Sequence, residues 1–137
     1  MQYPVKLTPD GKYFMVSFPD VPEALTQGTG KRDALHHALV ALESALTFYI
    51  DAGKPFPTPS KPRRNQRVVE LPASFSAKAL LLHEMNAKGI RPSMLARRLK
   101  LAPESVSRLL NPYRTSSIDL IQAALKVLGK TIEICAV

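Results

Sequence analysis

Glu104, Ser105, Ser107 and Arg108 set a carboxylate, two hydroxyls and a guanidinium within five consecutive residues. On a helix, residues three and four apart share a face, so Glu104, Ser107 and Arg108 project together with Ser105 beside them. A guanidinium donates paired hydrogen bonds to guanine O6 and N7, a carboxylate accepts from cytosine N4, and hydroxyls serve several bases. That is chemistry for reading base edges in a duplex groove. A second role is open to Glu104, since an acid in the first turn also stabilises the helix dipole.

Positioning such groups takes a short helix held against a second one, and residues 93–111 provide for both. Leu95, Ala96 and Leu99 make one apolar stripe and Val106, Leu109 and Leu110 another, each at helical spacing. Ala96 is small enough for close approach, Leu101 plugs the turn, and Pro103 suits a first helical position, where an N–H would be an orphan donor. The pattern is that of a helix-turn-helix.

Upstream, "SFSAKALLLHEMNAKG" predicts a helix ending at Gly89, capped by Ser74 or Ser76, with Leu80, Leu81 and Met85 inward and His83 on its surface. Downstream, residues 117–128 predict another, capped by Ser116, with Ile118, Ile121, Ala124, Leu125 and Leu128 buried. The terminal "KTIEICAV" alternates, with Ile132, Ile134 and Ala136 on one side, and predicts a strand. Lacking a partner in a helical domain, that strand is expected to pair with its counterpart in a second subunit. The resulting homodimer or higher homo-oligomer would place two recognition helices one DNA turn apart, about 34 Å.

Charge is unevenly placed along the chain. Residues 1–59 carry five Lys and Arg against six Asp and Glu, residues 60–137 fourteen against five, for a net +8. Such asymmetry is expected where one module alone meets a polyanion. At 137 residues the chain suits one ordinary domain or two small ones. The stretch "GKPFPTPSKPRRNQR" marks a division, because Pro55, Pro57, Pro59 and Pro62 forbid helix, and seven of the nine Phe and Tyr precede residue 60. Its Lys61, Arg63, Arg64 and Arg67 either contact phosphate or keep a flexible hinge solvated. The expected domains are residues 1–72 and 73–137, with a Pro-rich basic linker. Cys135 has no disulfide partner and reads as a small buried hydrophobe. With neither a cleavable apolar leader nor a run near the ~20 residues that span a bilayer, a cytoplasmic location without membrane contact is expected.

In the first domain, Tyr3, Val5 and Leu7 alternate in a strand, and "TPDG" makes a turn with Pro9 at its second position. Phe14, Val16 and Phe18 line a second strand and "ALTQG" is a third. Thr29 is the expected cap of a helix running to about Ala52 that buries Leu35, Leu39, Leu42, Leu46, Tyr49 and Ile50, before "RVVEL" returns to the sheet. The fold class is α+β, a βββαβ domain followed by an all-α one with its terminal strand.

The run "FPDVPEALTQGTGKRDALHHALVALESAL" resembles the signature of the HicB family of antitoxins, in which a Pro-Asp-Pro loop, a Gly-Thr turn and an Ala/Leu-rich helix recur in a partial RNase H-like fold. The run "MLARRLKLAPESVSRLLN" is similar to the phage-repressor (Cro-like) helix-turn-helix, and some family members join the two modules in this order. The resemblance implies an antitoxin of a type II toxin-antitoxin system. Such a protein neutralises a HicA-type toxin, a small ribonuclease that cleaves mRNA, and represses its own operon by binding operator DNA. Carried over by position, it puts Glu104 and Arg108 where base-reading side chains project, flanked by Ser105 and Ser107. Ser93, Arg97, Arg98, Asn111, Tyr113, Arg114, Thr115 and Ser116 surround the groove as phosphate contacts. Pro92 and Lys100 depart from the repressor pattern, standing where Gln and Gly are usual, so Lys100 must turn the chain at some steric cost.

An RNase H-like outline raises the question of catalysis, which there needs several carboxylates holding divalent metal ions. Residues 2–7 hold no acid, Asp20 and Glu23 sit in a Pro-rich loop, and Glu43 stands alone on its helix, so neither an enzyme nor a metal or other cofactor is expected. Adjacent His36 and His37 point about 100° apart on a helix and do not share a metal. Inhibition is then steric and electrostatic, with Asp10, Asp20, Glu23 and Asp33 as candidate toxin contacts on a neutral-to-acidic surface. Asp10 equally suits a turn and Asp33 a first helical turn. Two rival readings are a repressor whose N-terminal domain binds a small molecule and a nucleic-acid-processing enzyme.

Overall fold

Tyr3 and Val5 of β1 (Gln2–Asp10) turn into the core while Lys6 and Thr8 face water, in a computed structural model that describes residues 1–137. Gly11 takes φ +60° in the short loop to β2 (Tyr13–Ser17), where Asp10 sits opposite Tyr13. Pro9 is therefore not a turn residue; it lies within β1 opposite Phe14. β3 (Leu25–Gly28) pairs with β2, and β4 (Arg67–Glu70) with the other side of β1, giving the order β3-β2-β1-β4 with every pair antiparallel.

One helix, α1 (Lys31–Asp51), packs on this sheet through Ala34, Ala38, Leu42, Ala45, Leu46 and Ile50. The expected Leu35, Leu39 and Tyr49 are only half-buried. Close approach decides this: a Cβ on Gly28 would fall 2.3 Å from the Ala34 nitrogen, so alanines take the tightest places. Gly30, not Thr29, is the N-cap, and Asp33 reaches back to accept the Thr29 amide at 2.9 Å and hydroxyl at 3.3 Å.

The proline-rich stretch is not a linker between domains, which corrects the sequence expectation. It connects α1 to β4 within a compact unit, Met1–Pro72, and the chain passes from there into a second unit, Ala73–Val137. The Tyr3 hydroxyl donates to the Pro57 carbonyl at 2.7 Å, and Ser60 donates its amide and hydroxyl to Asp20. An extended connection fits prolines because they hold the chain open without needing helical or sheet donors. The basic residues of the stretch thereby belong to the first unit. It carries nine Lys and Arg against seven Asp and Glu, so it is not acidic, while the second carries ten against four.

That second unit contains α2 (Ala73–Lys88), α3 (Pro92–Leu99), α4 (Pro103–Leu109) and α5 (Ile118–Val127) around Leu81, Met85, Leu95, Leu109, Ile121 and Leu125. α2 begins before both expected cap serines, and Leu80 is 58% exposed while Ala77 and Lys78 turn inward. Ser117 rather than Ser116 caps α5, accepting from the Leu120 amide at 3.1 Å, and Ile118 is exposed. Residues 130–137 form no strand in the single chain, because the helical unit offers no sheet edge. Ile132 packs partly on the unit's own core, Ile134 is 83% exposed, and Ala136 and Cys135 are exposed, the latter contrary to the burial expected. No helix is long and apolar enough to cross a membrane.

Candidate nucleic-acid and partner-binding surfaces

Val106 and Leu109 anchor α4 in the core, and this turns Glu104, Ser105, Ser107 and Arg108 to solvent together. One shallow hollow is lined by Pro103, Glu104, Ser107, Arg108, Asn111 and Arg114, and an adjoining one by Glu104, Ser105, Arg108, Thr115, Ser116 and Leu120. Glu104 and Arg108 line both, so all four expected base-reading residues and four of the expected phosphate contacts share one surface. Ser93 lines a more apolar hollow with Ala96, Val106 and Leu110, which Ser107 and Asn111 also border. Arg97 and Arg98 are exposed in the last turn of α3. Tyr113 is half exposed, its ring meeting Phe75 edge-on at 6.1 Å, and its amide donates to Asn111 Oδ1 at 3.0 Å. Lys100 takes φ 56°, ψ 44°, the left-handed conformation its place in the turn demands.

Sequence inspection passed over Lys78, the only fully buried charged side chain. Its Nζ donates to the carbonyls of Arg108 and Asn111, each at 3.0 Å, and to that of Arg114. An ammonium has three N–H donors, so each has an acceptor, and the cation meets the negative end of the α4 dipole. Burial, and secondarily the charge of Arg114, hold its pKa below the ordinary 10.5. Lys88, farther along α2, does the same for α5 by donating to the Leu128 carbonyl. Inward periodicity at Ala77, Leu81 and Met85 was the available signal, since Lys78 sits beside that stripe.

On the first unit the four candidate acids do not form one patch. Asp20 is engaged by Ser60; Glu23 accepts from the Tyr49 hydroxyl at 2.9 and 3.0 Å, and this hydrogen bond raises the Tyr49 pKa. Asp33 serves the start of α1, and the Thr29 amide bond lowers its pKa. Tyr49 lies sixteen residues along the same helix, about 24 Å away at 1.5 Å per residue, and Asp10 ends β1 at the hairpin. A different feature was missed. Leu25, Val40 and Phe48, 66%, 58% and 70% exposed, line one groove between edge strand β3 and α1 with Glu23, His37 and Ser44. Val40 and Phe48 are two helical turns apart, a second apolar face on α1 that the periodicity already contained.

No group of three or more His, Cys, Asp or Glu side chains is placed to hold a metal ion. Half-buried Glu43 has its pKa raised by desolvation. His37 contacts the Gln27 carbonyl through Nδ1 at 3.0 Å and faces Asp33 at 3.8 Å.

The chain thus consists of a sheet with one covering helix, followed by a cationic four-helix unit that presents a polar helix face. The family described as HicB-like antitoxin of bacterial toxin-antitoxin systems matches residues 2–80. Antitoxin HicB of Escherichia coli K12 is 40% identical over 139 aligned positions, covering all of both chains. Antitoxin HicB 2 of Photorhabdus laumondii is 40% identical over 137, covering all of this chain and 97% of that one. Antitoxin HicB of Pseudomonas fluorescens is 32% identical over 118, covering 85% and 81%. The chain belongs to the HicB-like antitoxin family, and as such is an antitoxin and not an enzyme.

Proposed function

We propose that this antitoxin neutralises a HicA-type mRNA-cleaving ribonuclease with its first unit and represses its own operon by binding operator DNA with its second, as a cytoplasmic homodimer. The observation that carries the DNA half is the shared surface of Glu104, Ser105, Ser107, Arg108, Asn111, Arg114, Thr115 and Ser116 on a unit with ten cations against four acids. α3 and α4 act as the helix-turn-helix, with α4 in the major groove. Phosphate contacts from Ser93, Arg97, Arg98 and Tyr113 orient it.

The toxin half rests on family membership, and the groove of Leu25, Val40 and Phe48 is the contact it favours. Exposed apolar residues grouped beside an edge strand are a docking feature, whereas Asp20, Glu23 and Asp33 are engaged within the unit's own structure. Occlusion is then carried by apolar contact more than by charge. Family membership also favours this reading over a ligand-responsive repressor.

Co-expression of the full chain with the product of the short reading frame beside its gene tests the first half. A stable complex is expected, with ribonuclease activity when that partner is freed and none when it is bound. Absence of a complex overturns it. Binding to duplexes tiling the DNA upstream of the gene, against scrambled duplexes, tests the second half, and equal affinity for all of them overturns it. For the dimer, sedimentation of a chain lacking residues 130–137 is expected to give monomer, and a persisting dimer overturns the pairing.

A further inference from the structure

The geometry points to Lys78 as a positioning residue for DNA recognition, one that holds base-reading Arg108 and phosphate-contacting Asn111 and Arg114 in fixed register by clamping all three backbones through one ammonium. This rests on the operator-binding reading above and concerns the same surface.

The three carbonyls come from the last turn of α4 and the turn that follows it. Two of them double as acceptors for that turn: Arg108 O also takes the Asn111 amide at 3.2 Å, and Asn111 O the Arg114 amide at 3.1 Å. With Nζ 3.0 Å from each, these two oxygens lie within about 6 Å of one another. Side chains at 108, 111 and 114 therefore depart from a backbone that one buried ammonium and two turn hydrogen bonds hold together. Their outer ends remain exposed and share one hollow.

Besides stabilising the end of α4, the ammonium constrains its geometry. Helix ends are usually satisfied by water or a glycine turn, and burying an ammonium carries a desolvation cost that only full hydrogen bonding offsets. An apolar side chain would leave the carbonyls of Arg108, Asn111 and Arg114 without this donor. What the ammonium adds is direction, since three donors fix three acceptors at once. Base readout needs that register, because a bidentate guanidinium tolerates little misplacement, whereas phosphate attraction survives it.

The test uses the full chain, duplexes tiling the DNA upstream of its gene, and a scrambled duplex. Lys78→Met is expected to lower affinity for the preferred duplex about tenfold or more while changing affinity for the scrambled one less than about twofold. In an Arg108→Ala background the same substitution is expected to cause no further loss of preference. An unchanged preference ratio, or additive losses, overturns the inference while leaving operator binding in place. An unsubstituted chain that prefers no duplex overturns the operator reading and this one with it. Hydrogen exchange on the unsubstituted free chain covers the case in which Lys78→Met does not fold. The Lys78 ammonium protons are expected to exchange slowly before DNA is added, each being held by a carbonyl, and exchange as fast as that of the surface lysines overturns the clamp.

Discussion

Asp20 grips Ser60 with both carboxylate oxygens, Oδ2 accepting the amide at 2.8 Å and Oδ1 the hydroxyl at 2.5 Å, across forty residues of chain. This bond, with Tyr3 to Pro57, makes the proline-rich stretch part of the first unit. Replacing Asp20 by Ala is expected to cost about 1 kcal/mol in urea unfolding and to speed exchange of the Ser60 amide. Unchanged protection of that amide contradicts the assignment.

Tyr3 is fully buried, and desolvation, then the charge of Asp20 and then Tyr49, push its hydroxyl pKa up to about 12. A raised pKa favours the protonated form in the fold. Its contribution is therefore complete below the ordinary 10.0 and is lost as pH climbs from there toward about 12. Ultraviolet titration is expected to find Tyr3 ionising near pH 12, with Tyr49 also above its ordinary value, and Tyr3→Phe to remove the step near 12.

For Asp33 the sign is opposite. Its carboxylate is favoured by the Thr29 amide, so the pKa falls below 3.8 and the stabilisation is present above that value and lost as pH drops through the lower folded one. A carbon-detected carboxyl titration that places Asp33 at or above 3.8 contradicts the cap.

Gly28→Ala is expected to destabilise by about 1–3 kcal/mol, since the new methyl meets the Ala34 backbone rather than a movable side chain. A thermal melt reads this as a lower midpoint. No change would mean that β3 and α1 are not in such close contact.

On DNA, Arg108→Ala is expected to cost about 1–3 kcal/mol and to relax preference at one base pair, while Arg114→Ala weakens binding to all duplexes alike and lowers the salt slope by about 1. Equal, sequence-blind losses from both would remove Arg108 from the base-reading set.

Much of the architecture was legible because it is written in neighbouring residues. Alternation at Tyr3 and Val5 and the stripes of Leu95, Val106 and Leu109 depend only on the pitch of strand and helix, so the succession of elements along the chain, α3, α4 and the outward set on α4 followed from the sequence, whereas the order β3-β2-β1-β4 within the sheet did not. Offsets arose where local signals compete, as between Ser116 and Ser117 for the α5 cap, or between leucine and alanine for the face of α1 that meets Gly28.

What tertiary structure alone decided are partnerships between distant residues. Prolines 55–62 announce extended chain but not which unit it lies against; Tyr3, 54 residues from Pro57, settles that. Lys78 looks like one more surface cation until the end of α4, 30 to 36 residues later, folds over it. Aspartates at 20 and 33 and Glu23 read as free charge for a partner, and become internal acceptors only once Ser60, Thr29 and Tyr49 arrive. Periodicity fixes which way a side chain points within its own element, whereas what it meets depends on how elements close on one another.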